Sequence, residues 1–338
     1  MAALCCSAGA FGQIGGTTSF QVLQAVSPAR MAALGGNAIA VKDGDLNLGL
    51  FAPSLLDSTA TEQIAMGFNR LFGEANISHV GYAHHVRGLG TVSAGLVSLG
   101  YGTFEMTDET GTRLGNFNAG EYVFQVGISR QLDDFFSIGA NVKYVVSQMA
   151  EYNASALAAD ISGTYHNPEN QITATLMMRN IGNVLTNYTP GTEDHLPFEI
   201  QAGISKRLDK APLRFSVIGE NLQVWRLSED RTGQTVTDPL TGEVIPVENE
   251  GFFETLGRHL VFNAEIILTE NFFIRAGYNY NRRQELKIDT RPGTGGFTYG
   301  FGLRISKFHL SYARANFNLA GVANHFGLSV RFDDFKKS

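Results

Sequence analysis

From about residue 62 to its end, the chain alternates apolar and polar side chains with a period of two. The stretch GFTYGFGLRI, residues 296–305, keeps the beat without a break: Phe297, Tyr299, Phe301, Leu303 and Ile305 are separated by Thr298, Gly300, Gly302 and Arg304. Successive side chains of a strand point to opposite faces, so this pattern needs an apolar medium on one side and a polar one on the other. The apolar medium is either the core of a soluble sandwich or the hydrocarbon of a membrane. No run approaches the roughly 18 apolar residues of a spanning helix, which leaves a closed barrel as the only spanning structure.

About fourteen such stretches can be marked, near 63–70, 75–86, 89–106, 119–131, 135–149, 153–166, 171–181, 196–207, 211–225, 256–268, 271–285, 295–306, 308–315 and 322–333. Links that follow even-numbered strands are tight, as at Arg87-Gly88, Leu132-Asp133-Asp134, Thr269-Glu270 and Ser306-Lys307. Those that follow odd-numbered strands are usually longer, including 107–118, 182–195, 226–255 and 286–294. An even strand number with short turns at one end and long loops at the other predicts an all-β fold, a transmembrane antiparallel β-barrel with extracellular long loops and periplasmic termini.

A soluble barrel would turn the apolar faces inward. Its outer surface would then carry mainly Gly, Ser, Thr, Asn and Ala instead of the Lys and Glu that keep soluble surfaces dispersed. Turned inward, the same small residues fit a lumen. The inward charges become a short list of mixed sign: Lys143, Arg179, Arg275, Arg304 and Arg331 with Asp160, Glu199 and Glu265. Such a set is expected to pair internally and not to line a pore of one sign. With 38 Gly and 24 Phe against 9 Pro, composition favours strands and tight turns, and a net charge of -6 without a basic run gives no footprint for nucleic acid.

The first residues divide the chain further. Residues 1–12 read as a signal peptide that holds both cysteines, Cys5 and Cys6, with a lipoprotein anchored at Cys5 as the alternative. Residues 13–60 do not alternate; Pro28 can open a short helix that Gly35-Gly36 ends. The segment is expected to be a plug in the periplasmic end of a barrel formed by 61–338, a free periplasmic tail being the alternative. Asp43-Gly44-Asp45 starts like a calcium loop but continues with Leu48 and Ser54 where Gly and Glu belong, so a closing turn is expected. His84 and His85 point to opposite faces, and His79 lies about 20 Å along the strand from His85. His309 and His325 could approach each other as a lumenal hydrogen-bonded pair.

No Ser, His and acid stand in a recognisable motif, so no enzyme activity, metal or cofactor is expected. The longest insertion, 226–255, carries Val244, Ile245 and Val247 near Phe252 and Phe253 and follows the lone Trp225. Mixed apolar and charged loop surface of this kind suits a protein partner, with plain solvated surface as the alternative.

The segments ARMAALGGNAIAV (29–41), EYNASALAADISGTY (151–165), LPFEIQAGISKRL (196–208), GRHLVFNAEI (257–266) and FNLAGVANHFGLS (317–329) together resemble the PorV/PorQ family of outer-membrane components of the type IX protein secretion system. That family is similar to FadL-type transporters, fourteen-stranded barrels with an amino-terminal plug. One departure is Ala52-Pro53, where relatives commonly have Asn-Pro. The resemblance implies a non-catalytic place in a cell-surface attachment complex with PorU and PorV, anchoring PorZ through extracellular loops amid outer-membrane lipid. The alternatives are a FadL-like uptake channel for an apolar small molecule and a carrier of sorting signals. Within residues 296–305, lipid-facing Phe301 is expected not to accept a charge, and inward Thr298 is expected to tolerate Asp.

Overall fold

The computed structural model describes residues 18–228, 235–237, 244–246, 249–287, 294–318 and 321–332. The expected signal peptide at 1–12, with Cys5 and Cys6, and Val247 lie outside them.

Fourteen strands close into an antiparallel barrel. They are β1 (Gln63–Arg70), β2 (Asn76–Val86), β3 (Gly90–Thr107), β4 (Arg113–Gln131), β5 (Phe136–Met149), β6 (Tyr152–Asn167), β7 (Ile172–Thr186), β8 (Glu199–Arg207) and β9 (Leu213–Gly219), then β12 (Leu260–Thr269), β13 (Phe272–Asn279), β14 (Phe297–Ile305), β15 (Phe308–Asn318) and β16 (Gly321–Arg331). Between β9 and β12 a separate hairpin pairs β10 (Thr235–Thr237) with β11 (Val244–Pro246). β1 pairs with β16 in register Gly67 opposite Gly327, so the sheet has no free edge.

Alternation decides which way each strand faces. Phe297, Tyr299, Phe301 and Ile305 are exposed, while Thr298, Gly300 and Gly302 are buried. Phe124, Val126, Val142, Tyr144, Ile161 and Phe326 join them on the outer wall. Aromatic pairs lie toward both rims, Phe136 with Tyr165 at the short-turn end and Tyr278 with Phe297 at the long-loop end. An outward apolar band flanked by aromatics is the surface of a barrel that spans a membrane.

Several of the expected boundaries move. β4 begins at Arg113, not near 119, because Phe117 stacks on Phe104 across the β3–β4 pair and carries the hairpin beyond the band. The alternation over 271–285 stops at Asn279, whose side chain accepts from the Arg282 amide and caps a short helix, Tyr280–Glu285. The stretch expected over 211–225 ends at Gly219, and the one over 256–268 starts at Leu260 after a helix at Phe252–Arg258. Chain order therefore gives α1 (Ala29–Ala33), α2 (Leu46–Gly49), α3 (Phe252–Arg258) and α4 (Tyr280–Glu285).

Residues 18–62 lie inside the barrel. α1 touches β13, β14, β15 and β16, while the single turn Pro53–Leu55 touches β4, β5 and β6 on the other side. Pro28 precedes α1, and Gly35 and Gly36 leave it at φ 68 and 96, values that only glycine adopts without strain. The segment has little regular structure, so its backbone polar groups need partners other than each other.

The inward face supplies those partners. The Ser54 amide donates to Ser162 Oγ at 2.9 Å, Ser129 Oγ donates to the Leu56 carbonyl at 2.7 Å, and Asn263 Nδ2 donates to the Asn37 carbonyl at 2.8 Å. Inward glycines let the two backbones meet: a Cβ on Gly277 would lie 2.0 Å from the Gly35 nitrogen, and one on Gly139 2.5 Å from the Ser54 nitrogen. The small polar residues of the lumen thus hold an enclosed polypeptide.

Candidate functional site

The inward charges gather in two groups. In the first, Lys143 Nζ meets Asp160 Oδ2 at 2.5 Å and donates to Asn180 Oδ1 at 3.1 Å. Arg179 pairs with Glu199 at 3.5 Å, and its Nη2 donates to the Leu23 carbonyl at 3.0 Å, tying the pair to the enclosed segment.

The second group sits at the short-turn end and turns on Glu265 of β12. Its Oε1 accepts from Arg275 Nε at 2.9 Å and Arg30 Nη2 at 3.0 Å; its Oε2 accepts from Arg214 Nη1 at 2.8 Å. Arg30 also reaches Asp43 Oδ2 at 2.7 Å and Asp45 Oδ2 at 3.0 Å. Three arginines and three carboxylates thus join the segment to β9, β12 and β13. Burial alone would raise the Asp43 carboxyl, but Arg30 and Arg214 outweigh it and hold the group well below the ordinary carboxylate range. Asp43 and Asp45 serve here as arginine acceptors, and Asp45 also caps α2 through the Asn47 amide.

Arg304 and Arg331 line a cavity of about 400 Å3 beside this network. Sequence reasoning missed Arg30, although it is the one charged residue between positions 13 and 41 and could have drawn notice on that ground. It also missed Arg214.

The histidines separate. His79 is buried, with Nδ1 2.5 Å from Ser27 Oγ and Nε2 2.9 Å from Asn47 Oδ1. His309 lies opposite Ser329 and His325 opposite Ala313, four residues apart along the ladder, so the expected pair does not form. Among the described residues no group of three His, Cys, Asp or Glu is placed to hold a metal ion.

At the long-loop end a second cavity, also of about 400 Å3, opens between Phe20, Tyr101, Met149, Tyr152 and Tyr188. Phe20 stacks on Tyr188 with centroids 6.1 Å apart. Phe20 holds φ 62 and ψ 65, a costly conformation for an aromatic residue. Glu121, also on the cavity, fixes the next turn by accepting from the Val22 amide at 2.7 Å, and Tyr188 Oη donates to Ser147 Oγ at 2.5 Å. None of these residues stood out in the sequence, because an aromatic at a strand end carries no motif.

On the same side of the barrel Trp225, Phe252 and Phe253 form one aromatic cluster. Trp225 and Phe252 centroids are 5.3 Å apart, Phe252 and Phe253 5.5 Å. Phe253 is 83 % exposed. Val244 and Ile245 belong to the backbone of β11, opposite Thr237 and Val236.

No family model and no curated protein sequence matches the chain. Solved structures do. A monoaromatic hydrocarbon channel, the TodX deltaS2 mutant, is similar over 92 % of this chain and 98 % of its own, at 14 % identity and a TM-score of 0.52. The Pseudomonas putida toluene transporter TodX is similar over the same shares at 11 % identity and a TM-score of 0.51. A FadL homologue of Pseudomonas aeruginosa is similar over 90 % of this chain and 98 % of its own, at 11 % identity and a TM-score of 0.46. With its closed antiparallel sheet and outward apolar band, the chain has the fold of FadL-like outer-membrane barrels.

Proposed function

We propose that the chain is an outer-membrane uptake channel for an apolar small molecule, with residues 18–62 as the plug that gates it and the long loops outside the cell. The aromatic cavity at the long-loop end carries this reading. Its volume of about 400 Å3 falls within the range of small-molecule sites, and its wall sets the rings of Phe20, Tyr101, Tyr152 and Tyr188 beside polar Thr18, Ser19, Gln21, Glu121 and Thr189. TodX is described as a channel for monoaromatic hydrocarbons, and the likeness runs nearly the full length of both chains. Beneath the cavity Val22 and Leu23 of the segment pack among Ile77, Val97, Leu99, Val123 and Val145, an apolar layer under the aromatic rings.

The test is toluene binding to the purified barrel and toluene uptake by vesicles that contain it. Wild type is expected to bind saturably, and Tyr152→Asp, at a half-exposed position, to weaken binding at least tenfold, about 1.4 kcal/mol. Uptake no faster than in empty vesicles would overturn the proposal.

The exposed Trp225, Phe252 and Phe253 favour a second reading, a docking surface within a type IX attachment complex. Large aromatics clustered on an exposed surface are typical interface anchors. The reading rests on the PorV/PorQ resemblance and has PorZ as its partner, with PorU and PorV nearby. Removal of residues 230–250 should leave the barrel intact and release PorZ from the cell; PorZ retained on the surface would sink it.

A further inference from the structure

On the lipid-facing wall, near the short-turn end of β4, stands Arg130. It is exposed on the same face as Phe124, Val126 and Ile128. It lies opposite Ile138 of β5, two residues from the Phe136 that pairs with Tyr165 at the rim. That places it one step inside the aromatic girdle, at the depth where lipid headgroups give way to chains. Lys206, on the outer face of β8 at the same end, is taken up by the Asn170 carbonyl. Asp133, the acid nearest Arg130 in sequence, is turned to the Phe135 and Phe136 amides. Among the described residues Arg130 meets no carboxylate and no hydrogen-bond acceptor.

Beside it the wall is hollow. A groove of about 540 Å3 runs from Arg130 past Ile138 to Leu176 of β7. The register puts Gly163 of β6 between Ile138 and Leu176, and Ala140 between Ile128 and Ile161, so two small residues sit on neighbouring rows of an otherwise bulky patch. Glycine weakens a strand, and where it is kept something else approaches closely. Inside the barrel that is the enclosed segment, as at Gly277 and Gly139. A Cβ on Gly163 would meet nothing within 4 Å, so no part of the described chain takes up the space in front of it.

We propose that this outer groove is a site for one phospholipid of the surrounding membrane, with an acyl chain along Gly163 and Ala140 and the phosphate on the Arg130 guanidinium. An apolar channel that ends at an unpaired planar cation matches an amphipath with an anionic head, and arginine takes phosphate oxygens two at a time. The groove's volume falls within the range of small-molecule sites. A second copy of the barrel would bring a wall that is itself apolar and leave the guanidinium unmatched.

The test titrates the full chain, folded in detergent, with dioleoylphosphatidylglycerol and with dioleoylglycerol, which has the same chains but no phosphate. Bound lipid is counted by native mass spectrometry. Wild type should bind one phosphatidylglycerol at least tenfold more tightly than dioleoylglycerol. Arg130→Gln should lose that preference, and Gly163→Leu, which fills the groove, should weaken both lipids at least tenfold. Each variant is first checked for heat-modifiable migration as a folded barrel. The proposal is overturned if phosphatidylglycerol binds no more tightly than dioleoylglycerol, or if either folded variant binds it as wild type does. A dimer that Gly163→Leu dissolves would make the groove an interface between copies and overturn it as well.

Discussion

The two ends of the lumen hold the enclosed segment by different physics. At the short-turn end Arg30, Asp43 and Asp45 join Glu265, Arg214 and Arg275 in one ion-pair network. At the long-loop end the segment is fastened by an apolar cluster of Phe20, Val22 and Leu23 with Ile77, Val97, Leu99, Val123 and Val145, by Phe20 stacked on Tyr188, and by a few hydrogen bonds such as Val22 to Glu121. Buried charges are costly to strip of one partner, whereas single neutral hydrogen bonds are worth about 1 kcal/mol. The contrast makes the short-turn end an ionic anchor and the long-loop end one held chiefly by apolar packing.

Removing the hub should have the largest effect. Glu265→Gln leaves Arg30, Arg214 and Arg275 crowded without their shared acceptor and should cost about 3–5 kcal/mol. The loss is read as a lower denaturant midpoint for heat-modifiable migration. A cost near that of an exposed substitution would erase the contrast between the ends. Tyr188→Phe, which removes only the hydroxyl that donates to Ser147, should cost about 1 kcal/mol in the same assay. Phe253→Ser, on the exposed cluster, should change stability by less than about 0.5 kcal/mol, so that any effect on binding can be read without an effect on folding.

Acid sharpens the comparison further. Asp43 is depressed below its ordinary value of 3.8, so the stability it contributes is present above that value and is lost as pH falls through the lower, folded one. Protease protection of residues 18–62 should therefore be unchanged between neutral pH and about pH 5. Release should begin only in stronger acid. Release on mild acidification would mean that another group controls the anchor.

How much could be read from the chain alone differs between the two faces of a strand. In β14 the outward side was legible, because hydrocarbon accepts Phe297, Tyr299 and Phe301 on chemical class alone. The fourteen-strand barrel follows from that rule repeated, and no further rule was needed to count its strands. The inward side was not legible, because its partners come from far away in sequence. Thr298 reads as a lumenal residue that would tolerate Asp; in the structure it is buried, accepts from the Gly35 amide at 2.9 Å and donates to the Ala33 carbonyl at 2.9 Å. An Asp there would set a carboxylate against that carbonyl.

The same distance hid the hub. Arg30 and Glu265 are separated by 235 positions, and period-two alternation says nothing of such pairs. Local rules did find the end of α1 at Gly35-Gly36, since a backbone turn needs no distant partner. They missed α4, whose start depends on one asparagine side chain turning back on the main chain.

The pairing of β1 with β16 also sets an order of events. The seam joins residues 63–70 to 324–331, so the ring cannot shut until the last strand has been made. Residues 18–62 directly precede β1 and touch strands from both halves of the barrel. A finished wall leaves its two mouths as ways in, so the segment is either enclosed as the seam shuts or threads in through a mouth. Enclosed as the seam shuts, the segment would touch both halves of the sheet at once, and a chain that starts at residue 63 would have to find its register without it.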